Sequence, residues 1–287
     1  YESSERSRIW MSPDDVGTTY NEADVLPMLA LENKALHDRL HSMRKDLRIL
    51  KDANEQRKQN SDVELIEEEN RSAKLAEEYL QGQPIGRIRH LVIANEYPRY
   101  GKEYGNGFIH QRVKHYLAAG VAVDVVCAGF SVDQDLYEFD GVRVLTGRGP
   151  EIAEVLARQD YRSVSVHFMN QLIWQAIEPH MEKLNVHVFL HGYECSRWIR
   201  RIDNYANGTA LERAIDRSID LQLFWREILE HRFQQQSYIF VSNWWRRAVL
   251  DDMLLMFPPS RTHIVHNYVN SELFSYEPKD DAQRFKL

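Results

Sequence analysis

The residues of this sequence that are best suited to chemistry lie directly after short apolar runs. Polar and imidazole groups occupy such positions at Asn95-Glu96, His167 with Asn170, His191-Gly192-Tyr193-Glu194, Ser242-Asn243 and His266-Asn267. Imidazole and amide groups can donate hydrogen bonds to an oxygen on which negative charge develops, and a histidine can also exchange a proton near neutral pH. These positions predict a site that is assembled from several loops.

The segment from Arg87 to Gly120 predicts a strand, a glycine-rich loop and a helix. The strand His90–Ala94 is apolar, and the helix that follows the loop ends at Gly120. Between them lie Gly101, Gly105 and Gly107. Glycine lets the backbone pass close to a ligand, and the start of a helix presents free N–H groups to an anion. The loop therefore predicts the binding of an anionic group such as a phosphate.

The elements that must position these groups alternate between strand and helix. Further apolar runs predict strands at 121–127, 141–145, 164–168, 186–190, 238–241 and 262–265. Helical patterns lie at 152–156, 172–184, 211–235 and from Ser242 onward. This alternation is typical of an α/β protein with a Rossmann-like, doubly wound parallel sheet, in which ligands bind at the carboxyl ends of the strands.

Residues 1–86 have a different character. Residues 1–25 are polar and predict an irregular lead-in. From residue 26 to residue 54 a heptad pattern places Leu26, Asn33, Leu40, Leu47 and Asn54 at position a, and Leu29, Leu36, Met43 and Leu50 at position d. Asparagine at position a favours a parallel dimer, so we expect a coiled-coil arm that forms a homo-oligomer through residues 26–54. The alternative is a helix packed on its own domain. A second, acidic helix at 63–80 and a linker at 82–86 complete the arm.

The composition limits the class of protein. The 287-residue chain is 43% hydrophobic, which suits one domain with an appendage. Residues 1–86 carry 12 basic and 18 acidic side chains, which leaves 24 and 25 of the totals of 36 and 43 for residues 87–287. This near-neutral part lacks the basic field that nonspecific nucleic-acid binding needs, so no nucleic-acid partner is expected.

The cysteines and the apolar runs predict a cellular location. Cys127 and Cys195 are far apart in the sequence and form no metal-binding or redox motif. No apolar run reaches the ~18 residues that a membrane span needs. We therefore expect a cytoplasmic protein with reduced thiols. Because the chain begins with Tyr1, we also expect an excised or processed segment.

One stretch near the end of the chain is open to two interpretations, packing against the sheet, which we favour, and peripheral contact with a membrane. Trp244-Trp245-Arg246-Arg247 is followed by an apolar stripe of Leu250, Met253, Leu254, Met256 and Phe257. Aromatic residues, paired cations and an apolar stripe are typical of a helix that lies in a membrane interface. The alternative is that the stripe packs against the sheet.

The glycine loop does not fit a dinucleotide-binding fingerprint. His110 stands where a third glycine is needed. Asp124 lies inside a predicted strand, whereas the acidic residue that holds a ribose belongs at the end of a strand. These departures disfavour an enzyme that uses a nicotinamide cofactor.

The order of elements and motifs over residues 87–278 resembles the amino-terminal half of a GT-B fold glycosyltransferase, most closely the retaining family 4 type. The matching motifs are Tyr97-Pro98, Gly105-x-Gly107, His191-Gly192, Val241-Ser242 and the closing His266-Asn267-Tyr268-Val269-Asn270…Phe274. In the last motif the family has proline and glycine where this chain has His266 and Tyr268. Residues 279–287 are expected to begin a second Rossmann-like domain that is cut short.

The resemblance implies transfer of a sugar from a nucleotide-activated donor to a saccharide or lipid-linked acceptor, with retention of configuration and without a metal or other cofactor. It implies that His191 is catalytic. It assigns donor or phosphate binding to Gly105, Asn106, Gly107, Ser242 and Asn267. It assigns acceptor binding to Glu96, Tyr97, Asn170, Tyr193 and Glu194. The triplet Asp133-Gln134-Asp135 is similar to the metal-binding Asp-x-Asp of the other glycosyltransferase fold, but we interpret it as a surface loop.

A function of a different class stays open at this point. The chain can also be a noncatalytic scaffold, whose coiled coil recruits partners and whose Rossmann-like unit keeps a vestigial site. The two functions differ in what they require beyond residue 287. An enzyme of this family needs a second Rossmann-like domain that carries paired glutamates, whereas a scaffold does not.

Overall fold

A computed structural model of the chain describes residues 22–57, 62–83, 89–130, 132–230, 235–253 and 257–268. The chain divides into two compact units, Tyr1–Asp52 and Ala53–Leu287. The second unit contains an eight-stranded sheet, and the strands in the order β3-β4-β2-β1-β5-β6-β7-β8 are parallel except for the antiparallel β3–β4 pair. The strands are β1 (Arg89–Ala94), β2 (Ala122–Ala128), β3 (Asp135–Phe139), β4 (Val142–Gly147), β5 (Ser163–His167), β6 (Val186–Leu190), β7 (Gln236–Phe240) and β8 (Thr262–Ile264).

The helices connect these strands in the predicted alternation. They are α1 (Glu22–Arg57), α2 (Asp62–Gln81), α3 (Gly107–Ala118), α4 (Pro150–Arg158), α5 (Gln171–Ile177), α6 (Gly208–Glu230) and α7 (Asn243–Met253), with short 3-10 turns at Glu178–His180, Tyr193–Cys195, Trp198–Asn204 and Pro259–Arg261. The α/β class and the mostly parallel sheet are confirmed. The helix predicted at 172–184 is shorter than expected, because Pro179 lacks the N–H that would continue it.

The strand order reverses between β1 and β5, and this reversal defines where a ligand site belongs. Strand β1 pairs with β2 on one side and with β5 on the other, both parallel to it. At such a switch point the loops that follow the two strands diverge and leave a crevice at their carboxyl ends. The loops after β1 and β5 begin at Asn95 and Phe168.

The sheet is covered by helices on both sides, but unequally. Along β1, Leu91 and Ile93 belong to a larger core with α2 and α4 to α7, whereas Val92 and Ala94 belong to a smaller core with α3. By the same alternation of side chains along a strand, Val166 of β5 lies in the larger core. His167, the next residue, therefore lies on the α3 side, where the chemistry of the site is found.

Strand β3 was not predicted. Its residues Asp135–Phe139 pair antiparallel with β4 through a hairpin at Asp140-Gly141. Both turn residues have positive φ, 47° and 75°, as the favoured two-residue hairpin turn requires. Asp135 therefore lies in a strand, not in the surface loop that we expected, and it forms an ion pair with Arg99 at 3.1 Å. Asp133 is exposed, as expected.

Helix α2 packs on the sheet, whereas the sequence placed it in the arm and the domain boundary at residue 86. Ala76 and Tyr79 are fully buried in this helix, and the Tyr79 hydroxyl accepts a hydrogen bond from the Val125 N–H at 2.5 Å. The boundary between the compact units falls at residue 52 instead. The many glutamates of α2 concealed this narrow buried stripe in the sequence.

Helix α1 lies in the region of the predicted arm, and it begins at Glu22 and so includes the last residues of the predicted lead-in. Residues 1–21 and 84–88 lie outside the described residues. Of the predicted seam, Leu36 is buried, whereas Asn33 and Met43 are exposed. Pairing of this helix with a second copy stays a prediction.

Candidate functional site

The glycine loop and the start of α3 are held next to the end of β1. Asn106, the residue before α3, has a left-handed backbone with φ of 54°. Its side-chain Nδ2 donates to Asn95 Oδ1 at 3.0 Å and to the Glu96 carbonyl at 3.2 Å. A Cβ atom at Gly105 would lie 3.1 Å from Glu96 Oε1. No side chain caps the first turn of α3, and the Ile109 N–H donates to the Asn106 carbonyl at 2.8 Å, so the N–H groups of Gly107 and Phe108 are the ones left for a ligand.

Two histidines meet where β5 and β6 end. The His167 Nδ1 and His191 Nε2 atoms are 2.9 Å apart, and the two rings are stacked with their centroids 5.1 Å apart. His167 is fully buried and His191 is half-buried. The remaining ring nitrogens, His167 Nε2 and His191 Nδ1, are buried without a hydrogen-bond partner. The sequence predicted His191 as catalytic and placed His167 at the same edge.

The shared hydrogen bond limits what the histidine pair can offer a ligand. A neutral imidazole carries one N–H and one bare nitrogen. Two neutral rings carry two N–H hydrogens in total, and one of these forms the hydrogen bond between His167 and His191. The pair therefore presents one donor and one acceptor at its outer nitrogens.

Aromatic rings surround His191 on the α3 side of the sheet. The ring of Phe108, in the first turn of α3, lies 4.8 Å from the His191 ring, and that of Phe168 lies 4.7 Å from it. Phe168 has a positive φ of 55°, a conformation that costs a bulky residue roughly 1–3 kcal/mol and is often found at functional sites. The contact with Phe108 places the start of α3 directly beside His191.

Arg112 is a residue of this site that the sequence did not reveal. It lies one turn after Phe108 on α3, with its guanidinium 4.8 Å above the ring of Phe189, the residue of β6 that stacks on His167. One guanidinium nitrogen donates to the His266 carbonyl at 3.1 Å, while Nε is buried without a partner. Only its helical spacing from Phe108 could have indicated that it reaches the same edge.

Burial and the charge of Arg112 keep both histidines neutral. The pKa of His191 is lowered to about 3, first by burial and then by Arg112. The pKa of His167 is lowered far below its ordinary value, first by burial and then by His191 and Arg112. Near neutral pH the pair therefore acts through hydrogen bonds and not through charge.

Glu194 is used inside its own loop. Its carboxylate accepts hydrogen bonds from the N–H groups of His191 and Gly192 at 2.5 and 3.0 Å, and the Trp225 indole donates to its backbone carbonyl at 2.7 Å. Gly192 has a φ of 155°, which disfavours any residue with a side chain. The carboxylate, predicted to contact an acceptor, thus positions His191.

Three other predicted site residues also have their polar atoms engaged within the protein. The Tyr97 hydroxyl is buried and lies 2.8 Å from His110 Nδ1. Asn170 caps α5 with its Oδ1 and donates from Nδ2 to the Ala128 carbonyl at 3.0 Å. The Ser242 hydroxyl accepts from the Trp245 N–H at 3.0 Å at the start of α7. Glu96, Tyr193 and Asn267 are exposed.

The described side chains of the apolar stripe after Trp244 pack into the larger core, while Leu254 and Met256 lie outside the described residues. Trp245, Met253 and Phe257 are buried there, and Leu250 is packed against it. Trp244 keeps 44% of its surface exposed. These buried side chains therefore pack against the sheet, as the alternative interpretation had it, and contact with a membrane stays a prediction. None of the helices within the described ranges has the length and apolar character that a membrane span requires.

Comparison of the chain with family models, with curated proteins and with solved structures found no match. Within the described residues no group of three or more His, Cys, Asp or Glu side chains could hold a metal ion.

The buried Glu194 predicts a pH dependence of stability. Burial raises its pKa from 4.5 to about 7, against the lowering effect of its backbone hydrogen bonds. A raised pKa in the folded state means that its stabilising contribution is complete below pH 4.5 and is lost as the pH rises through about 7. Relative to Glu194→Gln, we expect the wild type to lose about 3 kcal/mol of unfolding free energy between about pH 5 and about pH 8.

Urea unfolding at a series of pH values measures this difference. The exposed Glu182→Gln variant is the matched control and should follow the wild type at every pH. A difference between Glu194→Gln and the wild type that stays constant with pH would show that the two N–H donors keep the carboxylate ionised.

Proposed function

We propose that this chain is the acceptor-side half of a retaining, nucleotide-sugar-dependent glycosyltransferase of the GT-B type. The observation that carries the proposal is the contact between the start of α3 and His191. The ring centroids of Phe108, in the first turn of α3, and His191 lie 4.8 Å apart. It joins a glycine loop and a neutral histidine at the carboxyl edge of a parallel sheet, beside the point where the strand order reverses. Such an edge is where sheets of this kind bind nucleotide-containing ligands.

The chemistry of sugar transfer suits these groups. A nucleoside diphosphate that departs from the sugar develops negative charge, which preorganised N–H donors stabilise without having to reorient. The uncapped N–H groups of α3 are such donors, and Glu194 and Gly192 hold His191 beside them. In this proposal a neutral His191 donates a hydrogen bond to the donor sugar or to the leaving group.

The acceptor would approach from the exposed side of the same edge. Glu96 and Tyr193 are the predicted acceptor residues that remain exposed, and the guanidinium of Arg217 lies 3.7 Å from the Tyr193 ring centre. Aromatic rings and carboxylates are suitable partners for the faces and hydroxyl groups of a saccharide. The loops that carry this surface would be held in place by the hydrogen bonds of Tyr97, Asn170 and Glu194 described above.

Two further parts of the proposal concern partners. Helix α1 would serve self-association through residues 26–54, and a second Rossmann-like domain would supply the remainder of the nucleotide site. A scaffold with a vestigial site is the alternative. It is favoured by the division of the chain at Asp52, which assigns most of helix α1 to a compact unit of its own.

Release of nucleoside diphosphate tests the proposal. The natural protein that contains residues 1–287 is incubated with a panel of nucleotide sugars and saccharide acceptors, and the 287-residue chain is assayed in parallel. We expect acceptor-dependent release with retained anomeric configuration from the former and none from the latter, because a GT-B site is complete only when two domains close. Absence of release with every donor, in a folded protein that has both domains, would favour the scaffold.

A further inference from the structure

The environment of Arg112 is unusual for a buried cation. Only 8% of its surface is exposed, and in the described part of the chain it forms no ion pair with a carboxylate. Its contacts are the His266 carbonyl and the face of the Phe189 ring. A buried charge is costly unless it is paired, and a guanidinium has five N–H donors to satisfy. The arrangement lacks a counter-charge.

The missing counter-charge has a defined place. Phe108 and Arg112 are four residues apart and therefore lie on the same side of α3. Phe108 contacts His191 and Arg112 contacts Phe189, so this side of the helix faces the end of β6. Arg112 and His167 both contact the Phe189 ring, and His167 is bonded to His191, so the three residues with unpartnered nitrogens are neighbours. Arg112 Nε and the one outer histidine nitrogen that carries a hydrogen are unused donors beside a buried cation, which indicates a negatively charged ligand that accepts hydrogen bonds.

We propose that Arg112, together with the His167–His191 pair, binds a phosphate group of the ligand at the α3 side of β5 and β6. A phosphate supplies both the negative charge and the acceptor oxygens that these groups lack, and guanidinium groups match its geometry. The uncapped start of α3 adds further N–H donors to the same ligand. The inference rests on the proposed function for the phosphate-bearing substrate, while binding of the anion itself can be measured separately.

Arg112 also links the site to the loop after β8. Its guanidinium donates to the His266 carbonyl, and the ring of His115, on the same helix, lies 5.1 Å from the ring of Tyr268. Asn267, which the family resemblance assigns to the donor, stands between these two contacts. Phosphate bound at Arg112 would therefore lie at the base of the loop that carries Asn267.

The test uses inorganic pyrophosphate and the 287-residue chain, at constant ionic strength adjusted with sodium chloride. At a pyrophosphate concentration about ten times its Kd, we expect the Tm of the wild type to rise by about 3 °C. Arg112→Met should weaken binding about 30-fold, because charge-assisted hydrogen bonds are lost, and Arg112→Lys should lie in between. The exposed Arg247→Met variant is the matched control and should bind as the wild type does.

Stability without the anion separates a binding role from a structural one. An arginine that lacks its counter-charge destabilises the empty protein, so Arg112→Met should raise the Tm in buffer free of phosphate. A lower Tm together with unchanged pyrophosphate binding would overturn the proposal and make Arg112 a structural residue. Absence of any pyrophosphate effect on the wild type would also overturn it.

Two additional ligands identify the source of the phosphate. A nucleoside diphosphate and a sugar phosphate are each titrated against bound pyrophosphate, and the one that competes through Arg112 is the source. Pyrophosphate binding that depends on Arg112 in a protein without transferase activity would retain the site and reject the proposed function. Sugar transfer that is insensitive to Arg112→Met would retain the function and reject the site.

Discussion

Under the proposed function, replacement of His191 by alanine should lower sugar transfer by two to three orders of magnitude. A preorganised donor to developing charge contributes about 100- to 1000-fold to kcat. His191 is held for such a role by its hydrogen bond to His167 and by the bonds from the loop backbone to Glu194. Steady-state kinetics would show the loss mainly in kcat if the bond forms in the transition state, and mainly in KM if it only binds the donor.

Two variants control this experiment. His191→Gln keeps a side-chain N–H and should recover part of the activity, whereas the exposed His263→Ala should behave as the wild type. Thermal melts establish that each protein is folded. Near-normal turnover in folded His191→Ala would reduce this histidine to a polar group at the edge of the sheet, and the main residue-level support for the proposed function would be lost.

Breaking the buried ion pair between Arg89 and Asp124 should have the largest effect on stability. Asp124 is 1% exposed and accepts two hydrogen bonds from the Arg89 guanidinium, at 2.8 and 3.0 Å, and one from the Tyr161 hydroxyl at 2.7 Å. Arg89→Met leaves this carboxylate buried without its cation. We expect a loss of about 3–5 kcal/mol of unfolding free energy and about 10 °C in Tm.

The partner residues separate the cost of an unpaired charge from the value of the pair. Tyr161→Phe removes a single hydrogen bond and should cost about 1 kcal/mol. The double variant Arg89→Met with Asp124→Leu removes both charges and should recover most of the stability, because an apolar pair can replace a buried ion pair. A double variant as unstable as Arg89→Met would mean that the pair is required for packing and not only for charge balance.

The sequence determined the α/β architecture to a large extent. The runs from His90 to Ala94 and from Val186 to Leu190 read correctly as strands, because strands buried on both sides are continuously apolar and are bounded by polar turns. Strand β3 was missed, since Asp135–Phe139 lacks both a continuous apolar run and a clear alternation. Helix α2 was assigned to the arm because its buried stripe of Ser72, Ala76 and Tyr79 is narrow and lies among glutamates.

The candidate site was predicted only in outline. Groups that follow strands in a parallel sheet must share an edge, so the sequence sufficed to bring His191, Asn170 and Glu96 to one side of the molecule. It could not decide which of their atoms remain free. Whether a carboxylate or an amide faces a ligand depends on hydrogen bonds to distant backbone groups, such as that from Asn170 to the Ala128 carbonyl.

Sequence alone thus determined the alternation of strands and helices apart from β3, the glycine loop and the position of His191 at a strand end, because these follow from local patterns and from the geometry of a parallel sheet. Only the tertiary structure decided that Glu194 turns back onto its own loop, that His167 and His191 share a hydrogen bond, and that Arg112 lies above Phe189 with no carboxylate partner among the described residues. The reason is physical: a local pattern specifies which way a side chain leaves the backbone, whereas its partners, its burial and its pKa depend on residues from distant parts of the chain.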